Sequence, residues 1–225
     1  MELKELRKIP IFYRLDDESL EKISQIVSSK HYEKGAMILL EEDSGNNLYL
    51  IKEGRVKVTR INSDGDEVIL TILGEGEFFG EMAIFGGTTR SANVTALEAS
   101  EVLILTRQDF LELLKNHPDI SIYLLEEMAN RLRKSDQLIK DLSLSNAEHK
   151  IAMSIIRLSE ELGTIKKGQV EIEDLPYQKD IANMAGTSRE TVSRTLKKFE
   201  NKGYLEKKGR KLVIFDYHKF VEAFS

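Results

Sequence analysis

The chain has 225 residues, 33 Lys+Arg against 38 Asp+Glu, a net charge of −5, four His, and neither Cys nor Trp. This length suits one large or two modest domains, enough to bury a real core. The zero Cys count excludes disulfides, thiolate zinc sites, Cys-ligated iron–sulfur clusters and thiol nucleophiles, and no apolar run is long enough for a membrane span. The stretch Met1–Ile9 alternates charged and apolar residues without a secretory h-region, so a cytoplasmic location is expected.

The charge is unevenly spread. Residues 146–225 carry 15 basic and 12 acidic side chains, a net of +3, which leaves −8 on residues 1–145. Between Leu175 and Lys211 the net is +6. An acidic body with a basic C-terminal patch indicates two modules with different partners.

In chain order, Asp17–Ser28 reads as a helix, with Asp16 or Asp17 as its cap and Leu20, Ile23 and Val27 at helical spacing. The period then changes. Met37–Leu40, Leu48–Ile51, Arg55–Ile61, Val68–Leu73 and Val102–Leu105 are short β-rich runs. Gly/Asp clusters separate them at Asp43–Gly45, Glu53–Gly54, Ser63–Gly65 and Gly74–Gly76. This spacing predicts a β-roll, a jelly-roll-like barrel, over residues 1–117. Asp64-Gly65 suits a hairpin turn.

Helical period returns at Gln108–Lys115, which Pro118 interrupts, and a long helix follows from Pro118 to about Leu144. Its stripe, Leu125, Met128, Leu132, Ser135, Ile139 and Leu142, steps by 3, 4, 3, 4 and 3, as in a coiled-coil seam. Residues 118–145 are therefore read as a dimerisation helix and hinge of a homodimer; the alternative is a helix lying on the barrel. Glu148–Gly163 predicts a further helix. The fold class is α+β.

Residues 146–225 read as a winged helix-turn-helix. Tyr177–Ala185 forms the first helix, with Ile181, Ala182 and Ala185 allowing a close crossing at Gly186. Ser188 caps the second helix, whose buried stripe is Val192, Leu196 and Phe199. Its opposite face carries Arg189, Glu190, Ser193, Arg194 and Lys197. Arg reads guanine O6/N7, and Glu accepts from cytosine N4. Lys202–Phe215 reads as the wing, with lysines such as Lys208 for phosphates. The alternative is a solvated amphipathic helix pair; the charge patch, the wing and the dimer seam favour double-stranded DNA as partner.

The segment Phe78–Ala96 carries different chemistry. Gly80 permits a close backbone approach, a short helical turn there would aim N–H groups at an anion, and Arg90 and Ser91 can hold a phosphate. Glu81 can accept from sugar hydroxyls. On residues alone, this segment is equally readable as a Gly-rich surface loop with an exposed Arg.

Phe79-Gly80-Glu81-Met82-Ala83 with Arg90-Ser91-Ala92 closely resembles the phosphate-binding cassette of the CRP/FNR family of bacterial transcription factors. Thr187-Ser188-Arg189-Glu190-Thr191-Val192-Ser193-Arg194 resembles the family's recognition helix, and the resemblance spans the whole chain. It implies a cyclic-nucleotide-binding β-roll, a cyclic nucleotide effector, most simply cAMP, and RNA polymerase as a further partner. By resemblance, Glu81 holds the ribose 2′-hydroxyl, Arg90 and Ser91 the cyclic phosphate, and Gly80 and Met82 supply backbone contacts. Val58, Leu70, Thr71 and Leu73 would line the base pocket, with Arg131 near the nucleotide and Ser135 reaching adenine across the dimer. Asp136 departs from the hydroxyl usual in the cAMP receptor branch, and Tyr177 from the usual Thr or Ser cap. Gln178, Thr187, Ser188 and Lys197 join Arg189, Glu190, Ser193, Arg194 and Lys208 as DNA contacts. Leu125, Met128, Leu132, Ile139 and Leu142 form the dimer seam.

The implied operator is palindromic with GA-containing half-sites. The Cys-based oxygen-sensing branch is excluded, and no metal, haem or iron–sulfur cluster is expected. The alternatives are another effector (a cyclic dinucleotide or a metabolite), constitutive activity, and a cyclic-nucleotide module regulating a partner protein. No hydrolytic triad or triphosphate loop points to an enzyme.

Overall fold

A computed structural model describes residues 2–87 and 89–224, and all but the side chain of Leu144 among them. The chain divides into two compact units, residues 1–60 with 70–132, and residues 61–69 with 133–225.

In the first unit, β3 (Asn47–Glu53) and β8 (Ser100–Thr106) pair antiparallel at the centre of one sheet, flanked by β1 (Ser28–Tyr32) and β6 (Phe78–Phe79). The second sheet runs β2 (Met37–Leu39), β7 (Asn93–Ala96), β4 (Val56–Ile61), β5 (Glu67–Leu73). The period of two along β3 sorts its side chains between two cores. Leu48 and Leu50 join a cluster containing Leu6, Phe12, Leu20, Ile23, Leu103, Leu105 and Phe110. Tyr49 and Ile51 instead join Val56, Leu73, Phe79, Val94 and Val102. A strand buried on both faces reads as a continuous apolar run, as Leu48–Ile51 does.

Helices α1 (Leu3–Arg7), α2 (Asp17–Ile26) and α4 (Arg107–Asn116) contribute to the first of these cores. Asp16 caps α2, accepting from Ser19 N at 2.8 Å, and Thr106 caps α4. The expected helix Asp17–Ser28 stops at Ile26, because Ser28 already pairs with Ile104 in β1. β1 (SSKHY) is largely exposed and lacks apolar alternation, so it carried no strand signal.

Helix α5 (Pro118–Leu144) follows the predicted bounds and passes from the first unit into the second after Leu132. It is apolar in two directions. Ile120 and Leu124 are buried in the first core, with Tyr123 and Met128 packed against it. Ile122, Leu125, Leu132 and Ile139 are left exposed. The helix therefore does lie on the barrel, and a second stripe still faces outward.

In the second unit, Asn146 caps α6 (Ala147–Leu162) by accepting from His149 N at 2.9 Å. The sheet runs β11 (Leu205–Lys208), β12 (Lys211–Ile214), β10 (Gln169–Ile172), β9 (Thr164–Lys166). Helices α7 (Gln178–Met184) and α8 (Arg189–Asn201) pack with α6. Phe199 of α8 meets Tyr204 and, from α9 (Tyr217–Phe224), Phe220 and Phe224, with ring centroids 5.0–6.4 Å apart. Such edge-on packing adds stabilisation beyond buried area.

Truncating a side chain at the β3 junction should be costly. Leu50→Ala is expected to destabilise the first unit by about 2–5 kcal/mol, by lost burial plus a residual cavity. Urea unfolding of the full chain checks this, and a loss below about 1 kcal/mol would contradict the packing described.

Candidate functional site

The turn between β6 and α3 (Glu81–Phe85) is built around Gly80, whose φ of 85° lies in the left-handed region. A Cβ there would lie 2.8 Å from the Arg90 guanidinium and 3.1 Å from Asn47 O. Gly80 thus provides both the conformation and the space. Gly45 provides space alone, since its Cβ would meet Ala83 at 2.5 Å and Arg90 at 2.8 Å.

Arg90 is 5% exposed, which corrects the alternative of an exposed loop arginine. Its Nη1 donates to Asn47 O at 3.1 Å and Gly80 O at 3.0 Å. The guanidinium lies 5.4 Å from the Tyr49 ring centroid, and Tyr49 is stacked on Phe79. Its backbone is pinned as well: Arg90 N donates to Asp43 O, and Arg90 O accepts from Glu42 N. Among the described residues no carboxylate pairs with Arg90. A buried cation held by neutral acceptors on one side is a ready partner for an anion.

Glu81 is 6% exposed beside it. Burial pushes its carboxyl above the usual range, opposed by the Arg131 and Arg90 cations. Arg131, on α5, donates to Glu81 Oε1 at 3.3 Å and to Phe78 O at 2.6 Å, with its guanidinium over the Phe78 ring. Met82 and Ser91 are exposed, and Ser91 Oγ donates to Met82 Sδ at 3.3 Å.

The four expected base-pocket residues do not share one face. Leu73 is buried between the sheets with Val58 packed against that core, whereas Leu70 is exposed. Strand alternation puts Thr71 on the Leu73 side and Leu70 on the other. Ser135 and Asp136 are exposed on α5, Ser135 one turn beyond Arg131. Tyr49, Gly45 and Asn47 O were not anticipated as parts of the cradle. Gly45 had been visible only as turn punctuation.

The C-terminal unit presents a second surface. Gly186, at φ 57°, turns the chain, and Thr187 N donates to Ala182 O. Ser188 caps α8 by accepting from Thr191 N at 3.2 Å. Val192, Thr195, Leu196 and Phe199 are buried, while Arg189, Glu190, Ser193, Arg194 and Lys197 are exposed together on the opposite face. Glu190 is held below the usual carboxylate range by a backbone amide at the helix start, then by Ser188 and the neighbouring arginines, so it is an ionised acceptor. Lys197 pairs with Glu200, and Lys208 on the wing with Glu206. Gln178 and Thr187 are half-buried. At Tyr177 the cap is replaced: Asp180 Oδ2 accepts from Tyr177 N at 3.1 Å, and the Tyr177 ring lies under Arg210.

Residues 29–117 match the cyclic nucleotide-binding domain family, and residues 149–223 the Crp-like helix-turn-helix domain family. The chain is 33% identical over 194 residues to a cyclic AMP receptor protein of Thermus thermophilus, spanning 86% of this chain and 87% of that one. It is 28% identical over 211 residues to a CRP-like cAMP-activated global transcriptional regulator of Mycobacterium tuberculosis, covering 94% of each. A c-di-GMP responsive global regulator of Xanthomonas campestris shares the fold, with a TM-score of 0.76 and 22% identity over 89% of this chain and 99% of that one.

These domains define a transcription regulator with a cyclic-nucleotide-binding unit and a helix-turn-helix DNA-binding unit, and not an enzyme. The chain belongs to the CRP/FNR family. Among the described residues no helix is long and apolar enough to cross a membrane, and no cluster of His, Asp and Glu could hold a metal ion.

The raised Glu81 pKa gives a pH signature. The native state holds this proton more tightly than the unfolded chain, so the associated stability is present below the ordinary Glu value of about 4.3 and lost as pH rises through the native value. Urea unfolding across pH should therefore show wild type losing ground to Glu81→Gln as pH rises. A difference between the two that does not vary with pH would contradict this.

Proposed function

We propose that this regulator is a homodimer whose affinity for a palindromic operator is set by a cyclic mononucleotide, cAMP being the favoured effector. The observation that carries the reading is Arg90, a buried cation whose described partners are carbonyl oxygens and an aromatic ring. In this reading Arg90 and Ser91 hold the cyclic phosphate, with the backbone at Gly80 and Met82 beside them. Glu81 accepts from the ribose 2′-hydroxyl, exchanging part of its contact with Arg131. Val58, Thr71 and Leu73 face the base from one side of their strands, and Leu70, on the other face, takes no part. Ser135 meets the adenine amino group across the dimer, and Asp136 biases the choice of base. The Thermus and Mycobacterium relatives, both named as cAMP-responsive proteins, support cAMP over other effectors.

The exposed stripe supports the dimer. Leu125, Leu132 and Ile139 recur every seven residues and are 61–68% exposed. The other two seam positions differ: Met128 packs against the first core and Leu142 is half-buried, so the outward stripe is carried by Leu125, Leu132 and Ile139. Two recognition helices on such a dimer address successive major grooves about 34 Å apart, with Arg189, Glu190 and Arg194 at GA-containing half-sites. Effector binding at Arg131 and Ser135 would act on α5 and reposition both recognition helices; ~100-fold differential affinity, about 2.7 kcal/mol, moves such an equilibrium strongly. RNA polymerase is the further partner this family membership implies.

A thermal-shift panel of cAMP, cGMP and cyclic di-GMP tests the effector, since ligands of the native state raise the melting temperature. The largest shift is expected with cAMP, and a shift with cyclic di-GMP alone would reassign the effector. For readout, Arg194→Ala should cost about 1–3 kcal/mol and relax one operator position, whereas Lys208→Ala should weaken all duplexes alike and lower the salt slope by about one. Equal binding of both variants and wild type across a duplex series would contradict this assignment. Leu132→Asp is expected to dissociate the dimer in sedimentation analysis, and an intact dimer would place the interface elsewhere.

A further inference from the structure

The chain has six Met and no Cys, so its sulfur chemistry rests on thioethers, with no thiol to intercept an oxidant first. Among the described residues, Met184 is buried and Met128 and Met153 are half-buried, whereas Met82 and Met37 are 59% and 52% exposed. The exposure of Met82 follows from its place in α3. Glu81, Ala83 and Ile84 are buried, and Met82 and Phe85, three residues apart, form the outward face. Met82 therefore stands in the first turn of the cassette helix, next to Glu81, with its side chain open to solvent.

Its sulfur is engaged by the residue next to Arg90: Ser91 Oγ donates to Met82 Sδ at 3.3 Å. A hydroxyl has one proton to donate and a phosphate oxygen only accepts, so that proton is what Ser91 can offer an anion beside Arg90. A thioether is a weak acceptor, and the Ser91 proton is readily surrendered from it to a phosphate. A sulfoxide oxygen is polar and accepts strongly, so it would hold the proton and set a partial negative charge against an incoming anion. Met37 makes a longer contact of the same kind, accepting from Thr95 Oγ1 at 3.6 Å, but within the β2–β7 pair and not in the cassette.

We propose that Met82 is a reversible oxidation site through which a hydroperoxide weakens effector binding at the cassette. The sulfur lone pair attacks one peroxide oxygen, and the S–O bond forms as the O–O bond breaks. Sulfur gives up two electrons, and the leaving hydroxide takes the proton of the oxygen now on sulfur, so one water is released per sulfoxide formed. The sulfoxide oxygen then holds Ser91 Oγ–H, and Ser91 no longer answers a phosphate. Sulfoxide reductases, one for each sulfoxide epimer, return the thioether and with it the weak contact. The proposal rests on the reading of Arg90 and Ser91 as phosphate ligands.

The test treats the whole chain with hydrogen peroxide, maps each methionine by peptide mass spectrometry, and titrates cAMP calorimetrically before and after treatment. Wild type, Met37→Leu and Met82→Leu are each compared with their own untreated form. Sulfoxide is expected at Met82 ahead of Met128, Met153 and Met184. Wild type and Met37→Leu should then lose about tenfold in cAMP affinity, the scale of one hydrogen bond to a charged group, and reductase treatment should restore it. Met82→Leu should lose nothing on treatment. Unchanged affinity with Met82 oxidised, an equal loss in Met82→Leu, or a Met82 that resists the peroxide would overturn the proposal. An untreated wild type that does not bind cAMP overturns the effector reading and this proposal together, whereas binding that survives oxidation overturns this proposal alone.

Discussion

A single buried guanidinium organises the N-terminal unit. Charge is expensive to bury, and Arg90 is tolerated because two carbonyl oxygens and the Tyr49 face share the task of solvating it. Several features of the chain follow from that requirement. Gly45 and Gly80 lack a Cβ where a Cβ would strike Arg90. Tyr49 lies on the inner face of β3 and is braced by Phe79. The short strand β6 places Gly80 O on Arg90, and α3 starts at once beside it. The result is a pocket wall with a fixed positive centre and an oriented carboxylate, the two groups a sugar phosphate needs.

Helix α5 ties this wall to the rest of the chain. Arg131 reaches Glu81 and Phe78 O, so the middle of the helix is coupled to the cassette by charge and by ring contact. The same helix exposes the large apolar side chains of Leu125, Leu132 and Ile139. The second unit is organised differently, by the Phe199 aromatic cluster beneath α8, which leaves the charged face of that helix entirely to solvent. Under the proposed reading, ligand chemistry at Glu81 reaches the second unit along α5, the helix that continues into it.

The main elements were legible where local signals agreed with tertiary use. The continuous run Leu48–Ile51, the Asp64-Gly65 turn, the 3-4 stripe of α5 and the Ser188 cap each encode their own structure. What was not legible depended on distant partners. β1 is polar and is a strand because β8 offers it a ladder, and β6 is too short for any pattern. The exposed appearance of Arg90 in a Gly-rich stretch hid its burial, because the residues that bury it, Gly45 and Tyr49, lie some forty positions earlier. Treating Val58, Leu70, Thr71 and Leu73 as one lining ignored the alternation that turns Leu70 to the other face. The net charge of −5 likewise concealed a basic α8 face until it was divided along the chain.

The central claim, that Arg90 is a built anion receptor for a cyclic phosphate, is tested most directly by calorimetric titration of cAMP into wild type, Arg90→Lys and Arg90→Ala. Removing one member of a buried charged pair costs about 2–5 kcal/mol, so Arg90→Ala should lose roughly 30-fold or more in affinity, with Arg90→Lys intermediate because it keeps the charge and loses the fork. Equal affinity of all three proteins for cAMP would contradict the account.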